Sequence, residues 1–149
     1  MKIEDAIKSN AMPDGRKTAI HIMYTANAIQ DKSAEILKPF GITPPQFNVL
    51  RILRGQKGKP ANLCNIQERM ISKMSNTTRL VDKLITKGLV NRVTCEENRR
   101  KVEISITEEG LKLLSEIDEP IDLQNENIIK NLSSEEIEQL NNILEKIRG

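Results

Sequence analysis

The sequence predicts a mostly α-helical fold with a small β-hairpin wing: a winged helix-turn-helix flanked by N- and C-terminal dimerisation helices. Three observations carry that expectation. Apolar residues recur at spacings of three and four in successive stretches separated by Gly, Pro, Ser and Thr. One stretch breaks the pattern: Val102-Glu103-Ile104-Ser105-Ile106 alternates with period two, as a half-buried strand does. Charge is also partitioned, with 13 Lys/Arg against 5 Asp/Glu in residues 42–106 and 4 against 11 in residues 107–149.

The elements follow in order. Arg16 to Leu37 reads as a long helix with Ile22, Ala26, Ile29, Ser33 and Ile36 along one side, ended by Pro39 and Gly41. Thr43-Pro44-Pro45-Gln46 is a helix start, with a capping hydroxyl, proline in the first turn and a glutamine that completes a capping box. That helix runs through Phe47, Leu50 and Leu53 to about Arg54, and Gly55 to Pro60 forms a connector. A short helix from Asn62 to Met70 comes next, then a brief turn. A helix from Ser72 or Ser75 to Lys87 follows, stopped by Gly88. Leu80, Val81, Leu84 and Ile85 make its apolar stripe. Two short helices across a tight turn, the second polar on its outer side, are a helix-turn-helix pattern.

Leu89–Val93 and Val102–Ile106 read as the two strands of a hairpin, with the basic loop Thr94–Lys101 between them. Thr107-Glu108-Glu109 opens a further helix, which Pro120 should kink or break before it resumes towards Lys130. Leu132 to Ile137 holds a capping box (Ser133 with Glu136), and the last helix carries Ile137, Leu140, Ile143, Leu144 and Ile147. The terminal helices have more apolar face than a small reader can bury. The division expected is 1–41 as the N-terminal part of a dimerisation region, 42–106 as the DNA-binding region, and 107–149 as the C-terminal part of the dimerisation region.

Composition bounds the function class. The chain has 149 residues, 38% hydrophobic and only 2% aromatic, so Leu and Ile must pack the core. No apolar run of membrane length and no signal-peptide pattern occurs, so a cytoplasmic protein with no membrane contact is expected. Cys64 and Cys95 have no disulfide or metal-ligand spacing, and the single histidine, His21, has no ligand cluster around it. Structural thiols and a packed or solvent-facing histidine are the readings favoured. No Ser/His/Asp or Cys/His set and no phosphate-cradling glycine loop appears, so neither an enzyme nor a cofactor is expected.

The basic middle, residues 42–106, suits a polyanion instead. Arg99-Arg100-Lys101 taken alone could be a solvated turn. Beside a helix-turn-helix it becomes a candidate contact to double-stranded DNA. Ser75, Asn76, Thr77, Thr78, Arg79 and Lys83 are candidates on the helix itself, although capping chemistry accounts for some of the hydroxyls.

At these residues the sequence resembles the MarR family of bacterial transcription regulators. The motifs stand here as Ser75-Asn76-Thr77-Thr78-Arg79-Leu80-Val81-Asp82-Lys83-Leu84, Lys87-Gly88-Leu89-Val90-Asn91-Arg92, Asn98-Arg99-Arg100 and Ser105-Ile106-Thr107-Glu108-Glu109-Gly110. The resemblance implies a recognition helix opening at Ser75, with Ser75, Asn76, Thr77 and Arg79 towards the major groove. It implies that Asp82 holds Arg92 to orient the wing, and that Arg100 enters the minor groove. Asn98 stands where the family's wing carries an aspartate, which removes a charge from the tip. The function implied is a sequence-specific regulator, a repressor before an activator, that binds a pseudo-palindromic operator as a homodimer. Relief by a small-molecule effector is open and its site is unknown; the resemblance allows a seat near His21 and Tyr24. The rival reading is a winged-helix module for protein or non-specific nucleic-acid binding without gene regulation.

Overall fold

Capping side chains set most helix boundaries in the computed structural model, which describes residues 1–98 and 100–149. A single turn, α1 (Ile3–Ala6), precedes α2 (Asp14–Leu37), which starts two residues before the expected Arg16. A 3-10 turn over Lys38–Phe40 closes at Gly41 with φ 74°, a backbone region that favours glycine. In α3 (Pro44–Gly55) the capping box is formed: Thr43 Oγ1 accepts the Gln46 N–H at 3.4 Å, and Gln46 Oε1 accepts the Thr43 N–H at 3.1 Å. α4 (Leu63–Arg69) uses Asn62 and Asn65 in the same reciprocal way.

The next helix, α5, spans Thr77–Thr86, and Asn76 is its cap, accepting the Arg79 N–H at 3.1 Å. The connector from α4 is therefore residues 70–76, longer than the brief turn expected. Four consecutive residues, Ser75 to Thr78, can all cap a helix, and Asn76 is the one that does. α5 ends in a Schellman motif: Leu89 N–H bonds Leu84 O at 3.0 Å and Gly88 N–H bonds Ile85 O at 2.9 Å, with Gly88 at φ 75°.

Strands β1 (Val90–Thr94) and β2 (Val102–Ile106) pair antiparallel, with Val90 opposite Ile106 and Thr94 opposite Val102. The first strand sits one residue later than expected. On its other edge β2 pairs at Ile104 with Ala61, through bonds of 2.8 and 2.7 Å. α6 (Glu108–Ile129) opens on Thr107 and runs unbroken through Pro120, where an interruption was expected. Pro120 lacks the N–H that would reach the Glu116 carbonyl. The packing of Leu114, Ile117 and Ile121 on the core holds the helix across the missing bond. α7 (Ser134–Arg148) starts from the Ser133–Glu136 capping box.

One apolar core unites the chain from Leu37 to Ile121, with Val49, Leu50, Leu53, Ile66, Leu84 and Ile104 among its members. All three stretches of the division expected from the sequence contribute to this core. α7 contributes no buried residue, and Leu140, Ile143 and Ile147 remain exposed on it. Among the described residues no helix is long and apolar enough to cross a membrane.

Candidate nucleic-acid interface

α5 buries Val81 and Leu84 and packs Leu80 and Ile85 beside them. Asn76, Thr78, Arg79 and Lys83 are exposed on its remaining surface, and Ser75 is half-buried just ahead of it. Arg79 and Lys83 are one turn apart and so share a side. Together with Ser75 and Asn76 they border a shallow depression of about 240 Å³ against the opening of α3. A helix start with free main-chain N–H groups, hydroxyls, amides and two cations suits phosphate oxygens and base edges.

Thr77 is placed differently from its neighbours. It is 6% exposed, and its hydroxyl donates to Gln67 Oε1, so it fastens α5 to α4. The Gln67 amide in turn donates to Lys73 O at 3.0 Å. Asn48 of α3 accepts the Ile71 N–H at 2.8 Å, which ties the connector to α3 as well. Neither Gln67 nor Asn48 was singled out from the sequence. Their partners lie 10 and 23 positions away, so no periodicity marks them. Lys87 donates to Gly41 O at 2.8 Å and ties the end of α5 to the turn before α3.

The hairpin is fixed to α5 by Arg92, whose Nη1 lies 2.8 Å from Asp82 Oδ1. Both side chains are about half exposed, and such a pair contributes on the order of 0–1 kcal/mol. The pair bridges α5 and β1. At the foot of the hairpin, Thr107 Oγ1 donates to Gly88 O at 2.8 Å and Thr107 N–H bonds Leu89 O at 3.0 Å.

At the tip, Asn98 Oδ1 accepts the main-chain N–H of Arg100 at 3.1 Å, and Lys101 N–H bonds Asn98 O at 2.9 Å. That turn needs a side-chain acceptor and no charge, so an amide serves there. Arg100 and Lys101 are exposed, while Arg99 lies outside the described residues. Cys64 on α4 is exposed and Cys95, whose N–H bonds Lys101 O at 3.0 Å within the hairpin, is half-buried; both are free thiols. His21 and Tyr24 are exposed on α2.

The helices and hairpin together have counterparts in known proteins. The MarR family's sequence model matches residues 42–102, from just before α3 to the first residue of β2. Residues 42–102 are thus similar to the winged helix of the MarR family. Among solved structures, a MarR transcription factor from Planctomyces limnophilus is 29% identical with a TM-score of 0.69, over 91% of this chain and 98% of that one. A MarR family protein from Bacillus stearothermophilus is also 29% identical, with a TM-score of 0.66 over 93% and 96% of the two chains. The S. aureus MepR–DNA complex, at 21% identity, superposes with a TM-score of 0.78 over 91% and 96%. The MarR-type fold therefore extends over the flanking helices as well as the matched residues.

Proposed function

We propose that this chain is a sequence-specific DNA-binding transcriptional regulator that acts as a homodimer, and as a repressor by occupying a pseudo-palindromic operator. The observation that carries the reading is the exposure of Arg79 and Lys83 on α5, and of Arg100 and Lys101 on the hairpin that Arg92 ties to α5, within a stretch of 13 cations and 5 anions. Ser75, Asn76 and Thr78 join Arg79 and Lys83 in the major groove, and Arg100, with Arg99 and Lys101, follows the neighbouring backbone or minor groove. Thr77 acts from behind by seating the helix, and Asp82 with Arg92 sets the wing. The fold shared with MepR, which has been solved on DNA, supports this assignment.

The homodimer is supported by uncovered apolar side chains on the terminal helices: Met23 and Tyr24 on α2, Leu123 on α6, and Leu140, Ile143 and Ile147 on α7 are each 45–62% exposed. A second copy laid against these faces would cover them and place two recognition helices about one DNA turn apart. In this reading residues 1–41 and 107–149 form the dimerisation region and 42–106 the reader, and no chemical reaction is assigned. A small-molecule effector would act by favouring a dimer whose readers no longer match the operator, to the extent that it binds the two states differently.

The test is selection of duplexes from a random library by the purified protein, followed by mobility shifts at roughly 50 and 200 mM salt. An enriched inverted repeat bound well above random DNA is expected, with affinity falling steeply in salt. Salt-dependent binding without any sequence preference would instead favour a non-specific nucleic-acid module.

A further inference from the structure

We propose that Arg54 and Asp118 form a positioning contact that sets the angle between the DNA reader and α6, and through it the half-site spacing the dimer accepts. The proposal rests on the reading above of a dimer on paired half-sites. Arg54 lies in the last turn of α3. Its Nη1 and Nη2 donate to Asp118 Oδ2 and Oδ1 at 2.8 and 2.9 Å. Two parallel bonds from a rigid fork fix tilt as well as distance.

The other contacts between α3 and α6 are of a different kind. Leu50 and Leu53 of α3 share the buried core with Leu114, Ile117 and Ile121 of α6. Such packing is non-directional and leaves a helix freer to roll or slide. The foot of α6 is tied at Thr107, and Asp118 lies eleven residues further on, roughly 16 Å along the helix at 1.5 Å per residue. Two anchored points define an axis.

Each side of this contact continues into the surfaces that matter. Towards the reader, α3 also carries Asn48, which holds the connector leading into α5. Towards the partner copy, the Gln124 amide of α6 lies 3.3 Å from Ser33 Oγ and 3.4 Å from Ile29 O, so α2 is tied to α6. Leu123 and Ile128, beyond Asp118, are uncovered. Asp118 therefore stands where the reader ends and the dimerising arms begin. The 22 residues of α6 span roughly 33 Å, so a tilt of about 6° moves its far end by about 3.4 Å, one base-pair step. A few degrees of play at this contact would thus be enough to matter for half-site spacing.

The experiment uses the full-length protein and duplexes it selects from a random library, each also made with its centre one base pair longer and one shorter. Wild-type protein should bind the altered duplexes at least about tenfold more weakly. Asp118→Asn and Arg54→Gln should flatten that preference to about threefold or less, with fold and dimer mass unchanged. The reversed pair R54D/D118R should restore it, since Arg51 lies one turn before position 54 and Asp122 one turn after position 118 to support the exchanged charges. An equal loss of affinity on all three spacings would make the pair merely structural and overturn the proposal, as would a folded reversed pair that restores nothing. Arg54→Lys keeps the charge and loses the fork. Should Asp118→Asn not fold, an unaltered spacing preference in Arg54→Lys overturns the proposal just as firmly. If the wild-type protein prefers no duplex over random DNA, the regulator reading fails first and takes this inference with it.

Discussion

A methyl group added at Gly110 would sit 2.5 Å from the Leu89 carbonyl oxygen and 2.6 Å from Ile106 Cγ1. The oxygen belongs to the backbone and cannot swing away, so Gly110→Ala should destabilise the fold by about 1–3 kcal/mol. In urea unfolding that appears as a lower midpoint at unchanged slope. Asp118 offers a prediction in pH. The hydrogen bonds from Arg54 hold its carboxyl below the ordinary carboxylate range, against the opposing effect of partial burial. A carboxyl whose pKa is lowered by folding stabilises the native state above its unfolded value, about 3.9, and loses that contribution as the pH falls through its folded value. The stability difference between wild type and Asp118→Asn should therefore hold constant through neutral pH and close below about pH 4. A difference that changed near pH 7 would point to some other group. Arg100→Ala should weaken binding to selected DNA and shallow the salt slope by about one, with the fold intact. An unaltered slope would remove Arg100 from the interface.

Element by element, the local signals could be read and the long-range ones could not. Thr43 with Gln46 and Ser133 with Glu136 announced their helices because a capping box is written within four residues. The start of α5 was ambiguous, since Ser75, Asn76, Thr77 and Thr78 all offer a capping acceptor. Only the fold shows Asn76 in that place and Thr77 turned inward to Gln67. Pro120 misled for a related reason. Its local penalty, about 3 kcal/mol, is outweighed by side chains whose partners lie dozens of residues away. Pro120→Ala should accordingly raise stability by about 1–3 kcal/mol, because it returns a hydrogen bond to an otherwise continuous helix. No gain in unfolding midpoint would mean that the Glu116 carbonyl is already satisfied. The Arg54–Asp118 fork, 64 positions apart, left no trace in spacing or composition.

For the whole molecule, the proposed reading gives the cationic middle a polyanion to hold and the acidic C-terminal stretch a second copy. Removal of residues 133–149 deletes α7, which buries nothing within its own chain, so the truncated protein should stay folded, sediment as a monomer and lose its affinity for selected duplexes. A truncated protein that still dimerised would make α7 dispensable for assembly. One stitch has a further consequence for how such a molecule meets its target. Ala61 closes two bonds with Ile104, so the hairpin is sewn down along its second edge immediately ahead of α4. It has no free base on which to swing, and only the few residues of its tip remain to adapt. Arrival at a duplex should then be a single seating event, all contacts landing together, with no separate search by a waving arm.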